Sequence, residues 1–241
     1  MWVTFLVMEK VVYVSPFVRA IAITVVVALG VHLVERVFGF GEFAEPEPAG
    51  QVFVEPRVAL ADYINTDISV IGGEHGRAYT AYAEAAAGAE CLLAPELLAG
   101  VGFVETAHGT FGGSSINGFG NAAPRITGPA LDGDGFALIE DTDRGLVDGD
   151  DRFDRAVGPM QFIPTSWELY GEGNPNNIDD AARAAANHLC SSGGGESADL
   201  YTNQDDMRRA LRGYNNSEQY FWDVMRAATY YSEIGIFDEQ Q

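Results

Sequence analysis

Apolar residues recur at helical spacing over much of the chain beyond residue 76, and this pattern predicts a mainly α fold. Residues 77–89 (RAYTAYAEAAAGA) place Tyr79, Tyr82, Ala83 and Ala86 on one helix face. Pro95 suits a first helical position, and Leu97, Leu98, Val101 and Val104 form an apolar stripe that ends at Glu105. The same periodicity returns over 164–170, 179–189, 205–211 and 218–231, with Asn177 and Ser217 as candidate caps. Neither a βαβ unit nor an internal repeat is visible. Residues 108–151 are instead rich in glycine, aspartate, serine and asparagine, with small apolar islands such as 136–139. Loops and a small hairpin are expected there, and so long a loop is a candidate wall or lid for a groove.

The first forty residues follow a different pattern. Residues 20–34 hold no ionisable side chain except His32, and apolar character extends back through 11–17, interrupted by Arg19. Residues 1–40 are therefore expected to form a membrane segment, read as an uncleaved signal anchor because no small-x-small cleavage signature follows Leu33. A cleaved signal peptide followed by secretion is the alternative. The uncharged core is short against the ~20 residues that span a bilayer, but Arg19 can snorkel to the interface. Residues 41–75 read as a proline- and acid-rich linker and lead-in, 76–235 as the folded domain, and 236–241 as a tail.

Charge narrows the partners. Against 35 acidic residues stand 14 basic ones, giving a formal net charge of −21, and Lys10 is the only lysine. Such a field repels phosphate backbones, so a nucleic-acid partner is not expected. The surplus reads as a solvated acidic surface, with adaptation to high salt as the other reading. Cys91 and Cys190 have no metal-like spacing and Cys91 lies in no nucleophile motif; the GGSSI string (112–116) fails the serine-hydrolase elbow. Neither zinc nor another cofactor is expected.

Candidate chemistry centres on Glu105. A glutamate buried among apolar residues keeps its proton towards neutral pH, as glycoside cleavage requires. A helix-end glutamate alone is unspecific, but three strings occur in order: LLAGVGFVETAHG (97–109), DRAVGPMQFIPTSW (154–167) and RGYNNSEQY (212–220). Together with IEDTDRGLVDGD (139–150), they resemble the membrane-bound lytic transglycosylase B family of the lysozyme superfamily, especially its actinobacterial members, over about residues 79–231. The resemblance implies a lysozyme-like domain with a loop-rich substrate groove, acting on peptidoglycan glycan strands outside the cytoplasm as a membrane-tethered monomer.

Residue by residue, it implies that Glu105 is the single acid/base. Protonation of the glycosidic oxygen between N-acetylmuramic acid and N-acetylglucosamine is followed by deprotonation of the muramyl 6-hydroxyl, leaving a 1,6-anhydro end. Met160 and Gln161 match the family's groove motif, and Tyr214 and Asn215 match its tyrosine–asparagine pair, with the Tyr214 phenol expected to hydrogen-bond the acid. Thr106 stands where many relatives have serine, keeping a hydroxyl that can position substrate or acid. The run YGEGNPNNIDD (170–180) fails the calcium-loop pattern, so no metal is expected there, and the aspartate strings at 132–135 and 148–151 read as solvated turns. His108 is expected to make a structural hydrogen bond, Asp154 and Arg155 an ion pair beneath the groove, and Cys91 and Cys190 a disulfide fitting an exported domain. A hydrolytic muramidase and a tethered peptidoglycan-binding protein without turnover are the rival functions.

Overall fold

The computed structural model describes residues 75–237. The membrane segment expected over 1–40 and the linker and lead-in up to residue 74 lie outside the described residues. Among the described residues, no helix is long and apolar enough to cross a membrane.

Six α-helices carry the domain: α1 (Gly76–Ala87), α2 (Pro95–Thr106), α3 (Pro164–Tyr170), α4 (Ile178–Gly193), α5 (Gln204–Tyr214) and α6 (Glu218–Glu233). Three two-stranded pairings accompany them. β1 (Leu92–Leu93) runs parallel to β6 (Asp199–Leu200), β2 (Ser115–Ile116) antiparallel to β3 (Ala122–Ala123), and β4 (Thr127–Ala130) antiparallel to β5 (Arg155–Val157). The fold is mainly α, with the loop-rich stretch after α2 pinned by the two antiparallel pairs.

The helix starts follow the polar code. Asn177 accepts the Asp179 N–H at the head of α4, Asn203 accepts those of Asp205 and Asp206 at α5, and Ser217 accepts that of Tyr220 at α6. Each cap satisfies a main-chain donor that the helix itself leaves open. Pro164 and Pro95 open α3 and α2 at positions where a missing N–H costs nothing. Helix α4 runs beyond the predicted 179–189 to Gly193, because Cys190 and Ser191 continue the turn before the glycines end it.

α2 organises the core. Its residues 97–102 are all buried, so it is wrapped on every side, as an uninterrupted apolar helix must be. It packs most extensively on α6 and next on α1, while α4 packs on α5 and α1. Small residues permit the close approaches. A Cβ at Gly100 would sit 2.7 Å from the Val224 carbonyl oxygen of α6, and one at Gly102 would overlap the Tyr82 hydroxyl of α1. On α4, Ala181, Ala182, Ala184, Ala185 and Ala186 are all buried, so that helix offers neighbours nearly bare backbone. Ile236 and Phe237, which fall in the expected tail, are also buried in the core.

Cys91 and Cys190 form a disulfide with Cα atoms 5.5 Å apart, tying the chain before β1 to the last part of α4 across 99 residues. Cys190 lies inside α4 rather than at its end.

Two stability measurements follow from this packing. Replacing both cysteines by alanine is expected to lower the unfolding free energy by about 2–4 kcal/mol through the freed loop; unchanged denaturation midpoints would show that the bond contributes nothing. Gly100→Ala is expected to destabilise by about 1–3 kcal/mol through overpacking against α6. Gly76→Ala, where an added Cβ meets nothing within 4 Å, serves as control, and equal melting of the two variants would refute the close-packing account.

Candidate active site

Glu105 is the penultimate residue of α2. The chain leaves the helix through three consecutive left-handed residues, Ala107, His108 and Gly109, with φ of 48°, 58° and 85°. A side chain at 109 would collide with Ile116, so glycine serves both the turn and the contact. Thr106 fastens this exit: its hydroxyl donates to the Pro159 carbonyl at 2.6 Å and accepts the Gly109 N–H at 2.9 Å. Thr106 is 1% exposed, so its hydroxyl holds the α2 terminus to the GPMQF loop and does not face a groove.

That loop is equally constrained. Val157 and Phe162 exchange main-chain hydrogen bonds across the turn, Gly158 abuts the Pro175 carbonyl, and Gln161 takes a φ of 51°. The Gln161 amide donates to the Gly158 carbonyl at 2.9 Å and remains partly exposed. Met160 is fully buried, with its sulfur close to Gly102 of α2. Its carbonyl accepts the Tyr214 hydroxyl at 2.7 Å. Of the two groove residues predicted in this loop, only Gln161 offers a side chain to solvent; Met160 acts through packing and its main chain.

The group that reaches Glu105 is Tyr220, whose hydroxyl donates to Oε1 at 2.7 Å. The bond expected from Tyr214 is thus made by the tyrosine six residues on, because the Ser217 cap starts α6 with Tyr220 in its first turn, turned towards the end of α2. Tyr220 stood in the RGYNNSEQY string without a role; no spacing rule separates it from Tyr214. The two rings lie parallel, at 8° with centroids 6.4 Å apart. Asn215 ends α5 in extended conformation, its N–H bonded to the Leu211 carbonyl and its side chain exposed.

Electrostatics match this geometry. Burial raises the Glu105 pKa from 4.5 to about 7, and the Tyr220 hydrogen bond pulls the other way. The position at a helix C-terminus, where carbonyl oxygens converge, further disfavours negative charge. No ion pair involves Glu105 among the described residues, and no neighbouring carboxylate contributes to its shift. Tyr214 and Tyr220 are pushed well above 10, first by burial and then by the Glu105 charge. The arrangement is a lone carboxyl that exchanges its proton near neutrality, with a neutral phenol as donor. Such a group can serve successively as general acid and general base.

Other predicted residues take different places. His108, 1% exposed, bonds Tyr82 through Nδ1 at 3.2 Å and Tyr231 through Nε2 at 2.7 Å, a structural role within an aromatic cluster. Asp154 and Arg155 form no ion pair with each other, since adjacent residues near a strand point to opposite sides. Asp154 accepts the Thr142 N–H and hydroxyl, while Arg155 pairs with Asp150 at 2.7 Å. The 148–151 string is likewise no freely solvated turn: Asp148 is buried and accepts the Arg155 N–H. Carboxylate oxygens of Asp141, Asp143 and Asp154 lie within 4.8 Å of one another. Convergence of acids in so acidic a chain does not by itself define a metal centre, and none is assigned. The chain matches no known family model, no curated protein and no solved structure.

The raised pKa has a consequence for stability. A carboxyl whose folded pKa lies above its unfolded value costs the fold nothing below about 4.5; the cost grows up to about 7 and is constant beyond. Glu105→Gln is therefore expected to raise stability by about 1–2 kcal/mol near pH 8, discounted for partial exposure, and to be neutral near pH 4. Urea midpoints at both pH values check this. A loss of stability at the higher pH would mean that the carboxylate is well accommodated.

Proposed function

We propose that this protein is a peptidoglycan lytic transglycosylase with Glu105 as its single acid/base. The observation that carries the proposal is the lone carboxyl at the end of α2, held near pKa 7 and hydrogen-bonded, among the described residues, only by Tyr220. It agrees with the role that the ordered GPMQF and YN strings imply. The finer fold assignment, a lysozyme-like domain with a substrate groove, belongs to the same proposal.

In the proposed reaction, protonated Glu105 gives its proton to the glycosidic oxygen between N-acetylmuramic acid and N-acetylglucosamine as the C–O bond breaks. The carboxylate so formed is stabilised by the Tyr220 hydroxyl and takes the proton of the muramyl 6-hydroxyl. Attack of that oxygen on the anomeric carbon closes the 1,6-anhydro ring and returns Glu105 to its acid form. One carboxyl suffices because the nucleophile belongs to the substrate, unlike the paired carboxyls of most glycosidases. The partly exposed Gln161 amide is suited to sugar hydroxyls and acetamides, and the apolar N-terminal segment would tether the enzyme outside the membrane.

Digestion of purified peptidoglycan, followed by mass spectrometry of released muropeptides, tests the proposal. Anhydro-muramyl ends are expected from the wild type and should fall at least ~10³-fold in Glu105→Gln, the loss of a proton-transfer group. Reducing ends would indicate a hydrolytic muramidase, and no release at all would leave a glycan-binding protein.

A further inference from the structure

Among the buried titratable residues that the mechanism above leaves unused is His188 of α4. Its imidazole lies between two tyrosine rings: Tyr170 at the end of α3 stacks on one face at 4.2 Å and 10°, and Tyr214 at the end of α5 on the other at 4.9 Å and 27°. Phe162 of the GPMQF loop leans against both His188 and Tyr214, at 6.3 and 5.7 Å. The stack continues from Tyr214 to the parallel ring of Tyr220, and from Tyr220 to the carboxyl of Glu105.

His188 is 8% exposed, and its Nδ1 is buried without a hydrogen-bond partner. Burial holds the imidazole neutral, pushing its pKa down to about 4, while a hydrogen bond to the Gly213 backbone opposes that shift. Gly213 immediately precedes Tyr214. A Cβ at 213 would strike Ser192, so α5 meets α4 there without an intervening side chain. From the far side, Asn187 donates to the Tyr170 carbonyl at 3.1 Å and holds α3 against α4.

We propose, building on the transglycosylase reading, that His188 is a positioning residue of the site. By stacking on the ring of Tyr214, with Tyr170 stacked on it in turn, it fixes the Tyr214–Tyr220 pair and thereby aims the Tyr220 hydroxyl at Glu105. The flat imidazole is the operative feature. An aliphatic residue of similar volume fills the space without defining a ring plane, whereas phenylalanine preserves the plane. The unpaired Nδ1 is consistent with selection for ring shape over hydrogen-bonding capacity.

The test reads Glu105 directly. The full chain is labelled with 13C at glutamate carboxyls, and the Glu105 resonance is assigned by its loss in Glu105→Gln. The titratable groups facing Glu105 are the phenols of Tyr220 and Tyr214, with Tyr82 behind Tyr214; those facing His188 are Tyr170 and Tyr214. A displaced Tyr220 no longer stabilises the carboxylate, so His188→Leu should move the Glu105 midpoint upward by about half a pH unit or more. Tyr220→Phe should move it the same way, the double variant no further, and His188→Phe should stay near wild type. In peptidoglycan release, His188→Leu should lose roughly tenfold in kcat with little change in KM, and His188→Phe should recover most of it.

An unshifted midpoint in a folded His188→Leu protein would overturn the proposal, as would full additivity with Tyr220→Phe. If the leucine variant does not melt cooperatively, His188→Phe decides alone, and a shift in that protein sinks the flat-ring account. If the wild type releases no muropeptide, the transglycosylase reading falls, while the titration still decides whether His188 positions the Tyr220–Glu105 pair.

Discussion

A carboxyl group that must keep its proton near neutrality has to be surrounded by protein yet kept away from positive charge. An arginine or lysine within ~4–6 Å would drag its pKa down by 1–3 units and leave it permanently ionised. Glu105 meets both conditions because of the helix that carries it. α2 is apolar on every side from Leu97 to Val104, and α6 and α1 close over it. The arginines of neighbouring α5 are drawn elsewhere: Arg208 and Arg212 to Glu218, and Arg209 to Asp206. Among the described residues only the neutral phenol of Tyr220 hydrogen-bonds the carboxyl, which eases ionisation without forcing it.

That environment is assembled from four separate segments, and a few polar contacts between side chain and main chain fix their relative positions. Thr106 joins the end of α2 to Pro159, Tyr214 joins the end of α5 to Met160, and Tyr220 joins α6 to Glu105. Met160 fills the space between these contacts and approaches α2 because residue 102 is glycine. A sulfur-containing side chain suits this role, since it adapts to an irregular gap without bringing a polar demand. The GPMQF loop is therefore a joint between helices, which explains why two of its residues take left-handed conformations.

Much of this was legible in the sequence. Helical periodicity and caps placed all six helices, Pro95 marked the start of α2, and the position of Glu105 at a helix end followed from where the apolar stripe stopped. The pairing of Cys91 with Cys190 was legible too. What could not be read was which of several similar groups makes a given contact. Tyr214 and Tyr220 lie on different helices, and the direction of each phenol depends on how α5 turns into α6 through Asn215 and Asn216. His188 sits among alanines on a buried face, where spacing gives only core; its ring partners come from α3 and α5, distant in sequence. Asp154 and Arg155 look like a natural ion pair on paper, but the strand geometry sends them apart.

The acidic surplus also changes meaning once the loops are seen. Several of its aspartates are occupied with main-chain N–H groups: Asp132 accepts that of Asp134, Asp141 those of Asp143 and Gly145, Asp143 that of Val147, and Asp150 those of Arg152 and Phe153. Asp199 does the same before α5, and hydrogen bonds hold Asp150 and Asp199 below their ordinary pKa. A long loop with little regular structure must satisfy its backbone donors somehow, and short carboxylates do so locally. Charge in the 131–154 stretch is thus partly a consequence of building a shaped loop without strands to pair it. The same logic separates these aspartates from Glu105: N–H groups converge on them, whereas Glu105 sits at the carbonyl end of its helix, where burial raises its pKa.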